Sequence, residues 1–334
     1  MARILAELRA RQHDVVLPMW DETLQLLAAR RGEVESVTRF PFQSLDALRD
    51  AADKAMSVER ARASGLRVPE TRVIATEDDV QSAVSALGLP VIVRPRVSKG
   101  SAGLYRVDRA AAVWPVCQTV QAVYGPVIVQ EYIPWGGLTY DVDILMNKES
   151  VARAAVVCRR NRTYPPLAGP TACGQAVYWP ELRDQAVRLL QQMEWYGPAE
   201  VEFRVDPTDG TPVFMEINPR LWGSLYTGMV AGVDFPYLLC RLAMDGDIPQ
   251  VEGYRTDLKA RYLFTMDLLC MATHPRKRAI ARVWLRDFFD PRTKPLLLSW
   301  RDPVPLFGRL LATLVYGFRL SRLKERLSRP RLVR

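Results

Sequence analysis

The 334-residue sequence predicts a mixed α+β fold in which an incomplete α/β segment precedes the main body. Segments with helical and with strand periodicity follow one another along the chain. Residues 199–217 form two apolar strands around the turn 207–210, which is typical of a β-hairpin. The first 45 residues contain one apolar strand pattern, 14–18, and one helical pattern, 21–30, too little to cover an α/β sheet.

The helical and strand segments of the body are separated by turn residues. Gly65 and Gly88 directly follow two helical patterns, a position where glycine commonly ends a helix. Residues 89–94 (LPVIVR) are a continuous apolar run typical of a buried strand, and the proline-rich stretch 159–174 is predicted to be a loop. The predicted helices are 46–64, 77–87, 107–124, 181–193, 221–231 and 237–244. The predicted strands are 71–74, 89–94, 127–133, 140–146, 153–158, 199–205 and 213–217.

Positive charge is concentrated at the C-terminus. The whole chain has a net charge of +9, whereas residues 275–334 contain 16 Lys and Arg against four acids, a net charge of +12. Residues 1–274 are therefore slightly acidic, with a net charge of −3. This distribution argues against a protein whose core is a nucleic-acid-binding surface, so no nucleic-acid partner is expected.

Cysteine and histidine usage points to a reduced compartment. The five Cys include no CxxC pair and the chain has two His, which disfavours a zinc site or a disulfide framework. The N-terminus lacks the long apolar stretch of a secretory signal, and no run of about 18 apolar residues predicts a spanning helix. The cytoplasm is the predicted location.

The hairpin at 199–220 (AEVEFRVDPTDGTPVFMEINPR) contains the strongest chemical signal. Glu202 lies on its first strand, and Glu216 and Asn218 lie at i and i+2 on the second, so the latter two share one face. Two carboxylates and an amide oxygen converging there would suit Mg²⁺, a hard cation that also binds phosphate oxygens. An ordinary solvated hairpin is the alternative, which the apolar neighbours VEF and VFMEI disfavour.

Four motifs between about residues 54 and 248 resemble the ATP-grasp family, in the family's order. They are Asp53–Lys54 opening a helix that leads to GLRVPET, then PVIVRPRVSKGSAG, VIVQEYIPWGG, and VEF followed by MEINPR. The resemblance implies an α+β ATP-grasp fold, with two α+β lobes clasping ATP, preceded by a truncated Rossmann-like α/β pre-ATP-grasp segment. The implied parts are the pre-ATP-grasp segment 1–45, a small lobe 46–130 with a glycine-rich loop, a large lobe 131–250 with the Mg²⁺ site, and a basic helical extension 251–334.

The resemblance assigns the ATP contacts to both lobes. The glycine-rich turn would close over the triphosphate, because glycine permits close backbone approach and exposed N–H groups form an anion nest. A plain hairpin turn is the alternative there, as a surface helix cation is for Lys54. Arg94 stands where the family usually has lysine, and Thr139 stands where the family often has a ribose-binding glutamate, for which Asp141 is a substitute. The residues predicted to contact ATP are Lys54, Arg94, Lys99, Gly100, Ser101, Gly103, Glu131, Tyr132, Ile133 and Asp141.

Three arginines are assigned to catalysis by the same resemblance. Arg220, in Asn-Pro-Arg, would stabilise an acyl-phosphate and the transition state leading to it, since a fixed guanidinium facing developing negative charge is the usual electrostatic device. Arg160 and Arg162 lie where the family covers the acceptor site and would hold an anionic substrate or the γ-phosphate. A solvated run of charges is the alternative for these two.

The implied reaction is a ligation in which ATP activates a carboxylate as an acyl-phosphate and an amine then displaces phosphate to form an amide. The run 218–239 resembles the carbamoyl-phosphate-synthase-like ligases, although the chain is too short for the extra domains of a full synthase or a biotin carboxylase. ATP and Mg²⁺, with Mn²⁺ as a substitute, are the expected cofactors, and a small-molecule carboxylate and an amine are the expected substrates. A small-molecule kinase and a catalytically silent nucleotide-binding subunit remain the alternatives.

The C-terminal extension has an apolar part, 305–320, followed by a cationic part, 321–334. The apolar part is too short and too interrupted by arginine to cross a bilayer. Such a pair of segments can lie at an anionic membrane surface, here the inner membrane. A helix packed on the body with a solvated tail is the alternative, and an oligomer is also left open.

Overall fold

The computed structural model describes residues 1–98, 102–166, 169–298, 302–317 and 331–333. The described helices are α1 (Ala2–Ala10), α2 (Asp21–Ala28), α3 (Arg31–Glu35), α4 (Leu45–Ala52), α5 (Lys54–Ala63), α6 (Glu77–Leu87), α7 (Ala110–Tyr124), α8 (Pro180–Gln192), α9 (Tyr226–Val230), α10 (Phe235–Asp245), α11 (Leu268–Thr273), α12 (Lys277–Phe289) and α13 (Val304–Gly317), with a π-helical turn at Leu263–Asp267. The strands are β1 (Thr71–Ile74), β2 (Val91–Pro95), β3 (Tyr105–Val107), β4 (Val127–Glu131), β5 (Thr139–Met146), β6 (Ala152–Thr163), β7 (Thr171–Val177), β8 (Gly197–Val205), β9 (Pro212–Asn218), β10 (Lys259–Arg261), β11 (Thr293–Pro295) and β12 (Arg331–Val333).

The described strands form two separate sheets, and the predicted C-terminal extension adds β10 and β11 to the larger sheet and β12 to the smaller one. The smaller sheet has the order β1-β4-β2-β3-β12 and the larger has the order β11-β10-β7-β6-β5-β8-β9. Pairing is antiparallel except between β3 and β12 and between β10 and β11. The mixed α+β architecture is therefore confirmed.

Each sheet has its own apolar core. In the small lobe, α6 and α7 cover the sheet, and Val91, Val93 and Val129 are buried beneath them. Every residue of β2 is buried, and Ile92 and Arg94 lie on the face opposite Val91 and Val93, since side chains alternate along a strand. The capping box at Thr76 starts α6, and Gly88 in a left-handed conformation ends it.

The N-terminal segment packs into the core of the large lobe. Leu24 and Leu27 of α2 and Phe42 are buried in one cluster with Trp195 and Val201 of the large lobe. The segment therefore has no sheet of its own to cover, and its apolar residues complete the large-lobe core. The predicted strand 14–18 is wrong for the same reason, since only an isolated bridge between Val15 and Arg39 forms there.

Three further element predictions need correction. The predicted helix 46–64 is two helices, because the extended backbone of Asp53 interrupts it and the Asp53 carboxylate caps α5. The predicted loop 159–174 is largely a hairpin, since β6 continues to Thr163 and β7 starts at Thr171. The predicted helix 221–231 is only the short α9. Its first residues form turns that place Ser224 against the large sheet.

The C-terminal extension is joined to the large lobe by sheet pairing as well as by helices. Strand β10 pairs with β7, and β11 pairs with β10. Helix α13 lies within the predicted apolar part, whereas residues 318–330 and 334 of the predicted tail lie outside the described residues. Among the described residues, no helix is long and apolar enough to cross a bilayer.

Candidate functional site

A cavity of about 510 Å³ opens where the two sheets face each other. The small lobe contributes Ile92 and Arg94 from β2 and the end of β4. The large lobe contributes the hairpin β8–β9 and the chain that follows it. Sequence positions more than 100 residues apart thus meet at one cleft. The lining residues that bear polar or charged side chains are Arg94, Gln130, Glu131, Thr139, Arg160, Thr163, Glu200, Glu202, Arg204, Glu216, Asn218 and Arg220.

The β8–β9 hairpin brings its acidic residues together in register. Glu202 is the cross-strand partner of Glu216, and Glu200 is the partner of Asn218. The Asn218 Nδ2 and the Ser224 hydroxyl each donate a hydrogen bond of 2.9 Å to the Glu200 carboxylate. Burial, followed by the nearby Asp141 charge, raises the pKa of Glu200 to about 8.

Two cations meet at Glu216: Arg94 comes from β2 of the smaller sheet, and Lys54 comes from α5, whose buried residues Val58 and Ala61 belong to the core of the larger sheet. Arg94 Nη2 donates to Glu216 Oε2 at 3.1 Å, and Lys54 Nζ lies 3.7 Å from the same oxygen. Lys54 Nζ also donates to the Ser98 carbonyl at 2.9 Å. Burial lowers the pKa of Lys54 to about 8, although Glu216 opposes that effect. Lys54 is therefore a buried cleft residue, which contradicts the alternative of a surface cation.

Arg160 neutralises the other side of the acidic cluster. Its guanidinium donates to both oxygens of Asp141, at 2.8 and 2.6 Å, and to Glu202 at 2.6 Å. Burial alone would lower the pKa of Arg160, but the charges of Asp141 and Glu202 raise it well above its usual value. Arg160 also lines the cavity.

The structure corrects the prediction for Asp141. Asp141 is fully buried in the middle of the large sheet, next to Glu202, and both of its oxygens are bonded to Arg160. A ribose hydroxyl could reach it only by displacing that arginine. Asp141 therefore holds Arg160 in place, and the prediction that it binds the ribose is wrong.

Arg162 is also misplaced by the sequence prediction. A register shift in β6 between Arg160 and Arg162 turns the two side chains toward different neighbours. Arg162 is buried, donating to Asp267 at 2.6 and 3.1 Å and to Asp287 at 2.5 Å. Lys259 donates to the other Asp287 oxygen at 2.7 Å. Arg162 therefore links the large sheet to the C-terminal extension and does not enter the cavity.

Arg220 meets the N-terminal segment at the cavity wall. Its Nε lies 3.0 Å from the Asp21 carboxylate, and its Nη1 donates to the Leu221 carbonyl at 3.1 Å. Met19 and Trp20, directly before Asp21, line the same cavity, and 68% of Trp20 is exposed. The predicted acyl-phosphate arginine thus faces the cavity with an acidic partner that the sequence did not indicate.

The end of β4 borders the cavity as predicted for a nucleotide linker. Glu131 and Ile133 line it, whereas Tyr132 is not among the lining residues and packs its ring against Arg106 and Trp135. The Glu131 N–H bonds to the Glu70 carbonyl at 2.8 Å, so that group is already used. The predicted glycine-loop contacts Lys99, Gly100 and Ser101 lie outside the described residues. Gly103, with φ +71°, needs glycine because an added Cβ would lie 2.8 Å from Pro95.

The donor set fits Mg²⁺ in chemical type. Glu202, Glu216 and Asn218 offer oxygens only, which suits a hard cation that completes its shell with water and phosphate. Over the part of the chain that the structure describes, no three His, Cys, Asp or Glu side chains converge in a metal-holding group. The two carboxylates instead pair with arginine and lysine. A metal would exchange with those cations.

Sequence reasoning missed several contributors to this site, among them Glu200, Arg204 and Asp21. Glu200 stands at i−2 from Glu202, so strand alternation could have placed it on the same face. No sequence pattern indicated Asp21, because about 200 residues separate it from Arg220, which it contacts.

Comparisons with known proteins agree on one family. The family described as "ATP-grasp in the biosynthetic pathway with Ter operon" matches residues 124–266. A D-alanine–D-alanine ligase of Anaeromyxobacter sp. (strain K) is 30% identical over 277 residues, covering 72% of this chain and 88% of that protein. The arginine-specific large chain of carbamoyl phosphate synthase from Bacillus subtilis (strain 168) is 23% identical over 188 residues, covering 54% of this chain and 17% of that protein.

Solved structures support the same fold. The biotin carboxylase domain of Hydrogenobacter thermophilus 2-oxoglutarate carboxylase, in complex with MgADP, ADP and bicarbonate, superposes with a TM-score of 0.65 at 16% identity. A biotin carboxylase–β,γ-ATP complex from Campylobacter jejuni gives 0.67, also at 16% identity. Each match covers 77% of this chain and 60% of the solved chain. The motifs, the two-lobed cleft and these relatives lead to one conclusion: the chain belongs to the ATP-grasp superfamily and is an ATP-dependent carboxylate–amine ligase.

Proposed function

We propose that this cavity binds ATP between the lobes, activates a carboxylate as an acyl-phosphate, and joins it to an amine with release of ADP and phosphate. The observation that carries this proposal is the Glu202–Glu216 pair, set in register and neutralised by Arg94 and Arg160 with Lys54 nearby. Buried charges of both signs in an open cleft suit a ligand that has phosphates and a cation of its own.

Each cation then has a defined role toward the nucleotide. Lys54 and Arg94 both contact Glu216 and would bind phosphate oxygens once that carboxylate is taken by the metal. Glu202, Glu216 and Asn218 would hold Mg²⁺, which supplies charge neutralisation of the phosphates when bound. Mn²⁺ prefers similar oxygen ligands, and we propose it as a substitute.

The acceptor side of the cavity would be formed by Arg160, Arg220 and the N-terminal segment. Arg220 is fixed by Asp21, so its charge is oriented before substrate arrives. A preorganised cation of this kind stabilises developing negative charge on a phosphorylated carboxylate. The indole of Trp20 lies at the same wall and would restrict access of water.

We propose amino acids as the first substrates to consider. The support is the relative described as D-alanine–D-alanine ligase, whose printed activity joins two amino acids. The cavity also presents arginine and glutamate side by side, Arg160 and Glu200 being 4.0 Å apart. That juxtaposition suits a molecule with both a carboxylate and an amine.

The deciding experiment is a screen of carboxylate and amine pairs, read as ADP release with Mg²⁺ and followed by mass analysis of the product. Release that needs both partners and yields an amide supports the ligase. Release with one substrate and a stable phosphorylated product would mean a kinase, and nucleotide binding without turnover would mean a silent subunit. Both of these outcomes contradict the proposed reaction.

Finer points of location and assembly also remain proposals. Five free Cys support a reducing compartment such as the cytoplasm. The relative titled as a domain dimer makes an oligomer worth testing by light scattering. We also propose contact with an anionic membrane, supported by the charge of +12 on residues 275–334.

A further inference from the structure

Helix α12 presents an outward face of unusual composition. Asp287 is the residue by which the helix is buried against the body, where it meets Arg162 and Lys259. The helical repeat places Arg278 and Arg282 on the opposite side and Arg286 at the edge of that side, about 100° of rotation from Asp287. Leu285 and Phe289 lie beside Arg278 and Arg282 on the same side, 53% and 75% exposed.

The three arginines of this face differ from most arginines of the body. Arg153, Arg241 and Arg255 each pair with a neighbouring aspartate although they lie at the surface. Arg278, Arg282 and Arg286 have no acidic partner among the residues that the structure describes. Their charges are therefore available to an external anion.

Helix α13 also exposes apolar side chains. It is a 14-residue helix with Arg309 as its one charged residue, and Phe307 and Leu311 are 64% and 63% exposed. At about 1.5 Å per residue it is too short to cross a bilayer. Exposed apolar patches that are surrounded by charged residues are typical of surfaces that bind a membrane or another protein.

We propose that the outward face of α12, together with α13, docks onto an anionic lipid bilayer, with Leu285, Phe289 and Phe307 entering the headgroup–acyl boundary. The arginines of α12 would keep their apolar stems in that boundary and extend their guanidinium groups to lipid phosphates. This arrangement is that of an interfacial helix, with aromatic and aliphatic side chains inserted between cations.

The positive charge around α12 favours an anionic bilayer over a second copy of the chain as the binding partner. The surrounding segment 275–334 has 16 Lys and Arg against four acids, so two copies meeting at this face would repel each other. An anionic membrane offers the opposite charge over a continuous plane, and each Lys or Arg near it strengthens binding about fivefold.

The test uses the full chain and sedimentation with vesicles of phosphatidylcholine, with and without phosphatidylglycerol. We expect binding only to the anionic vesicles, decreasing as salt is raised. Arg278→Gln/Arg282→Gln/Arg286→Gln should lower the partition coefficient by roughly 100-fold. Leu285→Ser/Phe289→Ser should lower it as well while leaving ADP release unchanged.

The matched control removes the same charge elsewhere. Arg3, Arg9 and Arg188 are exposed and belong to α1 and α8, so their replacement by Gln should change binding by less than about threefold. The proposal is overturned if wild type ignores the anionic vesicles or if this control loses as much binding as the α12 variant. It is also overturned if Leu285→Ser/Phe289→Ser dissociates an oligomer without affecting vesicle binding, because the face is then a protein interface.

Discussion

The carboxylate of Asp21 lies 3.0 Å from Nε of Arg220, so the first residue of α2 contacts the arginine of the Asn-Pro-Arg motif. The two residues belong to the N-terminal segment and to the chain that leaves β9. Met19 and Trp20 of this segment line the same cavity as Arg220, so the segment forms part of the cavity wall. The same segment also fills part of the large-lobe core.

The ion pair predicts that Asp21 acts through Arg220. Asp21→Asn should lower ADP release about tenfold by releasing the guanidinium from its fixed orientation, and Arg220→Lys should lower it further. Because both changes disturb one interaction, the double variant should be little worse than Arg220→Lys alone. Steady-state kinetics of the four proteins measure this coupling, and fully additive losses would contradict a positioning role for Asp21.

Glu216 is the residue on which metal and nucleotide binding should depend most. Glu216→Gln should decrease Mg²⁺-dependent ADP release about 100-fold or more and weaken binding of MgADP in calorimetry. Glu181→Gln, an exposed residue at the start of α8, serves as the control and should behave as wild type. Unchanged far-UV circular dichroism would show that the fold is kept. A fully active Glu216→Gln enzyme would remove the proposed metal site.

Substitution by lysine should have different effects at Arg160 and at Arg162. Lysine keeps the charge but cannot reproduce the forked contacts of either arginine. Arg160→Lys should lower turnover per folded molecule about 100-fold, because Arg160 lines the cavity and bonds to Glu202. Arg162→Lys should leave turnover unchanged and lower the free energy of unfolding by about 2 kcal/mol. Equal turnover losses would mean that Arg162 also serves the site.

The Asp287 contacts predict an acid-sensitive attachment of the C-terminal extension. Burial would raise the pKa of Asp287, but hydrogen bonds from Lys259 and Arg162 bring it below its ordinary value of 3.8. A carboxylate with a lowered pKa in the folded state stabilises the fold fully above its unfolded pKa. That contribution is lost as pH falls through the folded value. Asp267 lies in the same cluster, because Arg162 donates a hydrogen bond of 2.6 Å to its carboxylate.

We therefore expect Asp287→Asn to lower the free energy of unfolding by about 3 kcal/mol at neutral pH, since it leaves buried cations without a full partner. The difference from wild type should shrink as pH falls below 3.8. Denaturant unfolding at a series of acidic pH values measures it. If the difference in free energy of unfolding between variant and wild type stays constant with pH, the charge of Asp287 does not contribute to stability.

Local sequence signals predicted the hairpin and several helices well, because each depends on short-range chemistry. The turn 207–210 and the apolar strands around it gave β8 and β9 with both glutamates in register. The helix pattern 77–87 agrees with α6, which is capped within its own residues. The prediction for Arg162 was wrong because a one-residue register shift in β6 redirects its side chain. The periodicity of the sequence does not reveal such a shift.

The sequence by itself determined the family, the two-lobed fold and the residue types at the centre of the site, since motif spacing and strand alternation are encoded locally. Only the tertiary structure decided which charges meet there. Asp141 pairs with Arg160, and Asp21 pairs with Arg220. Arg162 pairs with Asp287 of the C-terminal extension. These pairings follow from how the lobes and terminal segments pack, because a buried charge takes whichever partner the packing brings within reach.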